Sequence, residues 1–179
     1  MACEHPANGV MIQAFEWEIA ADGQHWKNLQ KKALTWMMMG ITAAWLPPCY
    51  KGNSGTYDVG YGVYDLYDLG EFDQKGSIST KYGTRGEYLR AIESLKQRGI
   101  QVYADIVLNH KMGADKEQDI LANKCEWGDH NKEGNIEKIK AATKFTFPQR
   151  HKRYSGFEWN WTHFTGIDIN SATRRACNI

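Results

Sequence analysis

The sequence lacks most of the features that would assign it quickly. Four cysteines (Cys3, Cys49, Cys125 and Cys177) are scattered along 179 residues with no C-x-x-C pair. That argues against a thiolate zinc site and a dense disulfide framework. Charge of one sign is missing too, with 22 Lys and Arg against 21 Asp and Glu and no extended basic block. Such a balance makes no field to gather nucleic acid or an anionic membrane, so neither is expected as a partner. No apolar run approaches the roughly 20 residues of a membrane span. The opening residues Met1 to Pro6 show neither a basic nor an apolar stretch. No signal peptide is therefore expected, and a soluble, cytoplasmic chain is. The G-x-S-x-G, P-loop, G-x-G-x-x-G and H-E-x-x-H motifs are absent, which leaves their chemistries without support.

What the sequence does hold is a βα rhythm and many aromatic rings, seven Trp and nine Tyr. Over the first two-thirds, short apolar runs alternate with helical patterns, as in α/β folds. Val10 to Phe15 predicts a strand. Asp22-Gly23 opens a helix whose Leu29, Ala33, Trp36 and Met37 fall on one apolar face. Gly40 supplies its left-handed stop. Ile41 to Leu46 predicts the second strand, closed by Pro47-Pro48, which cannot continue a ladder. After a long polar loop from Cys49 to about Gly83, Thr84 and Glu87 have the spacing of a capping box. The helix they open runs on Tyr88, Ile92 and Leu95, stops at Gly99, and leads to a third strand, Ile100 to Leu108. From Lys111 to Ile179 no helical period appears. An irregular β-rich segment is expected there, with Phe145-Thr146-Phe147 and Phe157 to Trp161 as strand candidates.

Three places could carry chemistry. The third strand holds Asp105 and ends in Asn109-His110, and ligands of parallel sheets gather where strands end. An amide and an imidazole there offer an oxygen ligand, a donor and a group that titrates near neutrality. In the loop, Tyr57 to Phe72 brings four tyrosines and three aspartates among glycines, suited to stacking on a sugar or simply to building turns. Glu16 and Asp105 form a candidate carboxylate pair; glycoside hydrolysis needs two such groups about 5–5.5 Å apart for retention. A buried strand aspartate is more often held by hydrogen bonds than catalytic. Glu87 is explained by its cap.

Together these segments resemble the α-amylases of the retaining (β/α)8-barrel glycoside hydrolases, the bacterial liquefying and cytoplasmic type. The matching stretches are Met11 to Trp17, Asp22 to Trp26, Gly40 to Pro48, Val59 to Phe72, Asp105 to His110 and Phe157 to Phe164. The resemblance implies an α/β fold that is the N-terminal part of a TIM barrel, its first three strands, with an inserted β-rich domain B. Residues 1–108 would belong to the barrel and 109–179 to an incomplete domain B. It implies a hydrolase of internal α-1,4-glucosidic bonds in starch, glycogen or maltooligosaccharides. By position, His110 and Tyr61 resemble residues that bond and stack on the sugar, with Gln13 and Trp17 beside the cleft. Asp105 resembles a supporting aspartate that orients an arginine. Asn109 resembles a ligand of the structural calcium between barrel and domain B. Thr165 stands where many relatives have an aspartate, so a second metal cluster is not expected. The family's catalytic carboxylates follow strands four, five and seven, and its Gly-x-Arg-x-Asp motif does not occur here. The chain is therefore expected to be a fragment with no catalytic residues, inactive without the rest of the barrel. Two other readings are a non-catalytic glycan-binding module and a truncated product with no function of its own.

Overall fold

The computed structural model describes residues 8–126, 129–171 and 175–176. The chain divides into two compact units, Met1–Met112 and Gly113–Ile179.

The first unit holds β1 (Met11–Gln13), α1 (His25–Met38), β2 (Ala43–Leu46), β3 (Lys51–Gly52), β4 (Val63–Asp65), α2 (Arg85–Lys96) and β5 (Gln101–Ala104). Strands β1, β2 and β5 form a parallel sheet with β2 in the middle, and each helix is the crossover between successive strands, as parallel pairing requires. The helices bury one face each: His25, Trp26, Leu29, Ala33 and Trp36 from α1, and Tyr88, Ala91 and Leu95 from α2. These meet Ala44, Leu46, Tyr82 and Ile100 in one core.

Both helices stop by the same local device. Gly40 and Gly99 take φ of +80° and +73°. The next amide, of Ile41 or Ile100, then bonds back to the carbonyl of Trp36 or Leu95 at 3.0 and 3.1 Å. This is the long backward bond of a Schellman motif, and it turns the chain straight into the following strand. At the other end of α2, the Thr84 amide donates to Glu87 Oε2 at 2.9 Å within the expected capping box.

Three expectations need correction. The helix α1 begins at His25, because the Asp22 carboxylate first takes the Gln24 amide at 2.9 Å in a turn. Met37 lies on the exposed side rather than the buried face. The third strand ends at Ala104, not Leu108. Among the described residues its one strand partner is β2, which stops at Leu46 before the two prolines, and the last ladder bond is Asp105 N to Leu46 O. Beyond it Ile106 and Leu108 are exposed, and Asp105 is half-buried rather than enclosed.

The second unit is built on a long antiparallel hairpin of β6 (Lys116–Glu126) and β7 (Asp129–Lys144). A short pair, β8 (Ile169–Asn170) with β9 (Arg175–Ala176), follows. Ile120, Ile139 and Ala141 form a small core with Ala122 and Ile167. The strands expected at 145–147 and 157–161 reduce to one bridge between Phe145 and Trp159. The chain leaves strand geometry there because Phe147, His151, Lys152 and Tyr154 all take left-handed φ, between 48° and 68°. Asp115 holds the entry to this turn, its Oδ2 accepting the amides of Thr146 at 2.6 Å and Phe147 at 3.0 Å.

Candidate functional site

The segment between β2 and α2 buries Tyr50, Val63, Tyr64 and Tyr82, and buried polar groups fix it further. Lys51 is fully buried, and its Nζ donates to the carbonyls of Phe72 at 3.1 Å, Ile78 at 2.7 Å and Ser77, beside Asp68 Oδ2 at 3.6 Å. Burial pulls the ammonium below its ordinary pKa, although the Asp68 charge works against that. Asp68 Oδ1 accepts three amides, from Gly70, Glu71 and Phe72, at 2.9–3.2 Å. Gln74 Nε2 then joins Asp65 Oδ2 to Asp68 Oδ2, at 3.0 Å each. Asp65 and Asp68 are thus spent on holding the loop. The Tyr82 hydroxyl donates to Val59 O at 2.9 Å and pins the middle of the loop.

On this frame stands Tyr61. Its hydroxyl donates to Asp105 Oδ2 at 2.8 Å, just past the carboxyl end of β5. Burial first, and then the bonded carboxylate, push the phenol up to about 12, so near neutral pH it is a fixed donor. Its ring lies parallel to Trp17, with centroids 6.0 Å apart and an 8° interplanar angle. Trp17 follows β1 and leaves 64% of its surface open, a free aromatic face. The Tyr61 carbonyl meets His110 Nε2 at 2.8 Å. A carbonyl only accepts, so Nε2 carries the proton and Nδ1 is left as the acceptor for Asn109 Nδ2, 3.4 Å away. Tyr50 secures the intervening segment, its buried hydroxyl accepting the Val107 amide at 2.9 Å; burial pushes that phenol up to about 12.

Of the six residues singled out in the sequence, Trp17, Tyr61, Asp105, Asn109 and His110 fall into one linked cluster. Gln13 does not join it by a bond: its amide turns back to Phe15 O at 3.1 Å. Glu16 is exposed after β1, and Asp105 is engaged by Tyr61. Among the described residues, no group of three or more His, Cys, Asp or Glu is placed to hold a metal ion. Asn109 offers one amide oxygen, where calcium takes six to eight, so these residues do not make a calcium site by themselves. Sequence reasoning missed Lys51 and Tyr50, which brace the site, and named Asp58 only among the turn-building residues of the loop. The crowding of glycines around Asp58 was the available signal.

The chain is an α/β domain with a parallel sheet, and a stacked aromatic pair, a carboxylate and an imidazole gather at its strand ends, where ligands of such sheets commonly lie. Residues 31–166 match the family described as alpha amylase, catalytic domain, and the chain belongs to the α-amylase family. It is 54% identical over 168 residues to an α-amylase of Bacillus licheniformis, a match covering 93% of this chain and 33% of that protein. It is 49% identical to a glucan 1,4-α-maltohexaosidase of Bacillus sp. strain 707, covering 93% and 32%. A cytoplasmic α-amylase of Escherichia coli K12 is 45% identical, covering 90% and 33%. The chain thus spans about a third of the length of these relatives. A truncated alternansucrase from Leuconostoc mesenteroides superposes with a TM-score of 0.71 at 21% identity, covering 95% of this chain and 20% of that one. That likeness concerns the fold alone. No helix among the described residues is long and apolar enough to cross a membrane.

Proposed function

We propose that the chain is the N-terminal part of an α-amylase that hydrolyses internal α-1,4-glucosidic bonds of starch, glycogen or maltooligosaccharides, with a cytoplasmic location like that named for the E. coli relative. In this reading β1, β2 and β5 are the first three strands of a (β/α)8 barrel, and residues 109–179 belong to the inserted domain B. The observation that carries the proposal is the Trp17–Tyr61–His110 cluster, in a chain of this family. An exposed indole stacked on a fixed phenol provides a flat apolar platform for the face of a glucose ring. Around it, His110 and Gln13 supply polar edges for hydroxyls. Both His110 nitrogens are already engaged, at 2.8 and 3.4 Å. A sugar hydroxyl would donate to Nδ1 by displacing the longer bond, that from Asn109. Asn109 Oδ1, which takes no part in that bond, would be the one oxygen these residues offer to a structural calcium. Asp105 holds Tyr61 and takes no part in bond cleavage.

The nucleophile and general acid of a retaining glycosidase are not assigned to any residue of this chain. Each contributes orders of magnitude to rate, so these 179 residues bind glucan without cleaving it. Reducing-end release from soluble starch, with calcium present, tests this. The expected result is no turnover; a rate above about 1 s⁻¹, ordinary for an enzyme, contradicts it. Calorimetric titration with maltoheptaose separates the remaining outcomes, since a chain that neither binds nor cleaves has no part of a glucan subsite.

A further inference from the structure

We infer that Asp58 is the positioning residue of this sugar edge, setting Tyr61 and, through it, Trp17 and His110. The inference rests on the glucan-binding reading above and adds to it a residue that touches no sugar.

The carboxylate of Asp58 organises the turn that carries Tyr61. Oδ1 accepts the amides of Gly60 at 2.8 Å and Gly62 at 3.1 Å, the two residues that flank Tyr61 in the chain. Oδ2 accepts the Ser54 amide at 3.1 Å. One side chain therefore fixes the backbone on both sides of the aromatic residue and ties it to the start of the loop. The backbone is shaped to admit this carboxylate: a methyl group on Gly52 or on Gly62 would overlap Asp58. Gly60, at φ +99°, lies so close to Pro48 that a side chain there would overlap the proline ring. The turn is thereby clamped between Asp58 and the residue that closes β2.

What this clamp sets is a carbonyl and a ring. The Tyr61 carbonyl fixes His110 in one tautomer through the 2.8 Å bond, and the Tyr61 ring supports Trp17 at 6.0 Å. If the clamp is released, Gly60 and Gly62, the most permissive residues for backbone motion, lie on either side of Tyr61. The phenol can keep its bond to Asp105 while the carbonyl and ring plane turn away. Asp58 thus acts on affinity through geometry, whereas the Lys51–Asp68–Gln74 brace acts on whether the loop folds.

The test uses the whole chain with Asp58→Ala, Asp58→Asn, Gly62→Ala and Gln74→Ala. Two readouts are taken: ring-to-ring nuclear Overhauser cross-peaks between Trp17 and Tyr61, and maltoheptaose affinity by calorimetry. Asp58→Ala is expected to abolish the cross-peaks and weaken binding at least 10-fold. Gly62→Ala, which crowds the carboxylate from the opposite side, gives the same losses and serves if Asp58→Ala does not fold. Asp58→Asn keeps one oxygen for both glycine amides and turns its NH2 towards the Ser54 amide, which moves away to water, so its cross-peaks persist and its affinity stays within threefold. Gln74→Ala lowers stability but leaves cross-peaks and affinity within the same threefold. Intact cross-peaks and affinity in folded Asp58→Ala or Gly62→Ala overturn the inference. So does an equal loss of both in folded Gln74→Ala, which would make Asp58 one more general brace. If the wild-type chain shows no affinity for maltoheptaose, the glucan reading fails, and the cross-peaks alone decide the role of Asp58.

Discussion

Replacing Lys51 with methionine probes whether the loop that presents Tyr61 is held by its buried ammonium. Methionine preserves the stem and its volume but removes three donors. The carbonyls of Phe72, Ser77 and Ile78 lose their partner, and Asp68 Oδ2 loses a cation at 3.6 Å. Breaking a buried pair by deleting one partner costs about 3–5 kcal/mol, and an acceptor left bare in the interior about 1–3 kcal/mol. Three features reduce the sum. Asp68 keeps Gln74 and three backbone amides, so its charge stays solvated by the protein. The variant also escapes the desolvation that lowers the pKa of Lys51, and the half-exposed 77–78 segment can admit water. The net loss is then about 3 kcal/mol, a large share of the ~5–15 kcal/mol that stabilises a domain. Urea unfolding followed by circular dichroism measures it, with hydrogen exchange at Gly70, Glu71 and Phe72 to localise the loosening. A loss under about 1 kcal/mol, or a gain, would refute the reasoning, because the ammonium's desolvation would then cancel its bonds.

Three further outcomes follow from particular side chains. Burial holds His25 at about 4 against an ordinary value of 6.5; the unfolded chain therefore binds more protons between those values. Stability is lost as pH falls from 6.5 towards 4, by about 3 kcal/mol in full, and His25→Phe should flatten that part of a urea-midpoint profile. His151 sits at φ +49°, and His151→Gly should raise the stability of the second unit by about 1 kcal/mol, read as a higher thermal midpoint. Tyr61→Phe removes the 2.8 Å bond to half-buried Asp105. It should cost about 1 kcal/mol in urea unfolding, because water can re-solvate the carboxylate.

Much of the first unit was legible because its signals are local. The Thr84–Glu87 box, the Gly40-Ile41 and Gly99-Ile100 stops, and the apolar faces of both helices each depend on a few neighbouring residues. Strand lengths were not local: β5 stops where its partner meets Pro47, a fact set more than fifty residues away. The β6–β7 hairpin escaped notice because its buried stripe mixes polar with apolar residues. Ile139, Ala141, Thr143, Phe145 and Phe147 are buried in strict alternation, yet Ala142 on the outside and Thr143 on the inside blur the apolar pattern. Register shifts near Gln118 and Cys125 break the period further. At the site, resemblance picked out the residues that cluster, but not what holds them. Asp58, Asp65 and Asp68 look alike in the sequence, and only their partners show that they serve backbone amides, an amide side chain and a buried lysine.

Whether the strand-end cluster is the proposed glucan-binding edge is tested most directly by maltoheptaose titration of the uniformly labelled chain, followed residue by residue by NMR. Saturable shifts are expected at the Trp17 indole, the Tyr61 ring and the His110 imidazole, with Gln13 responding beside them. Tyr61→Ala should remove them all. Shifts confined to other residues, or the absence of any saturable shift in a folded chain, would contradict the proposal.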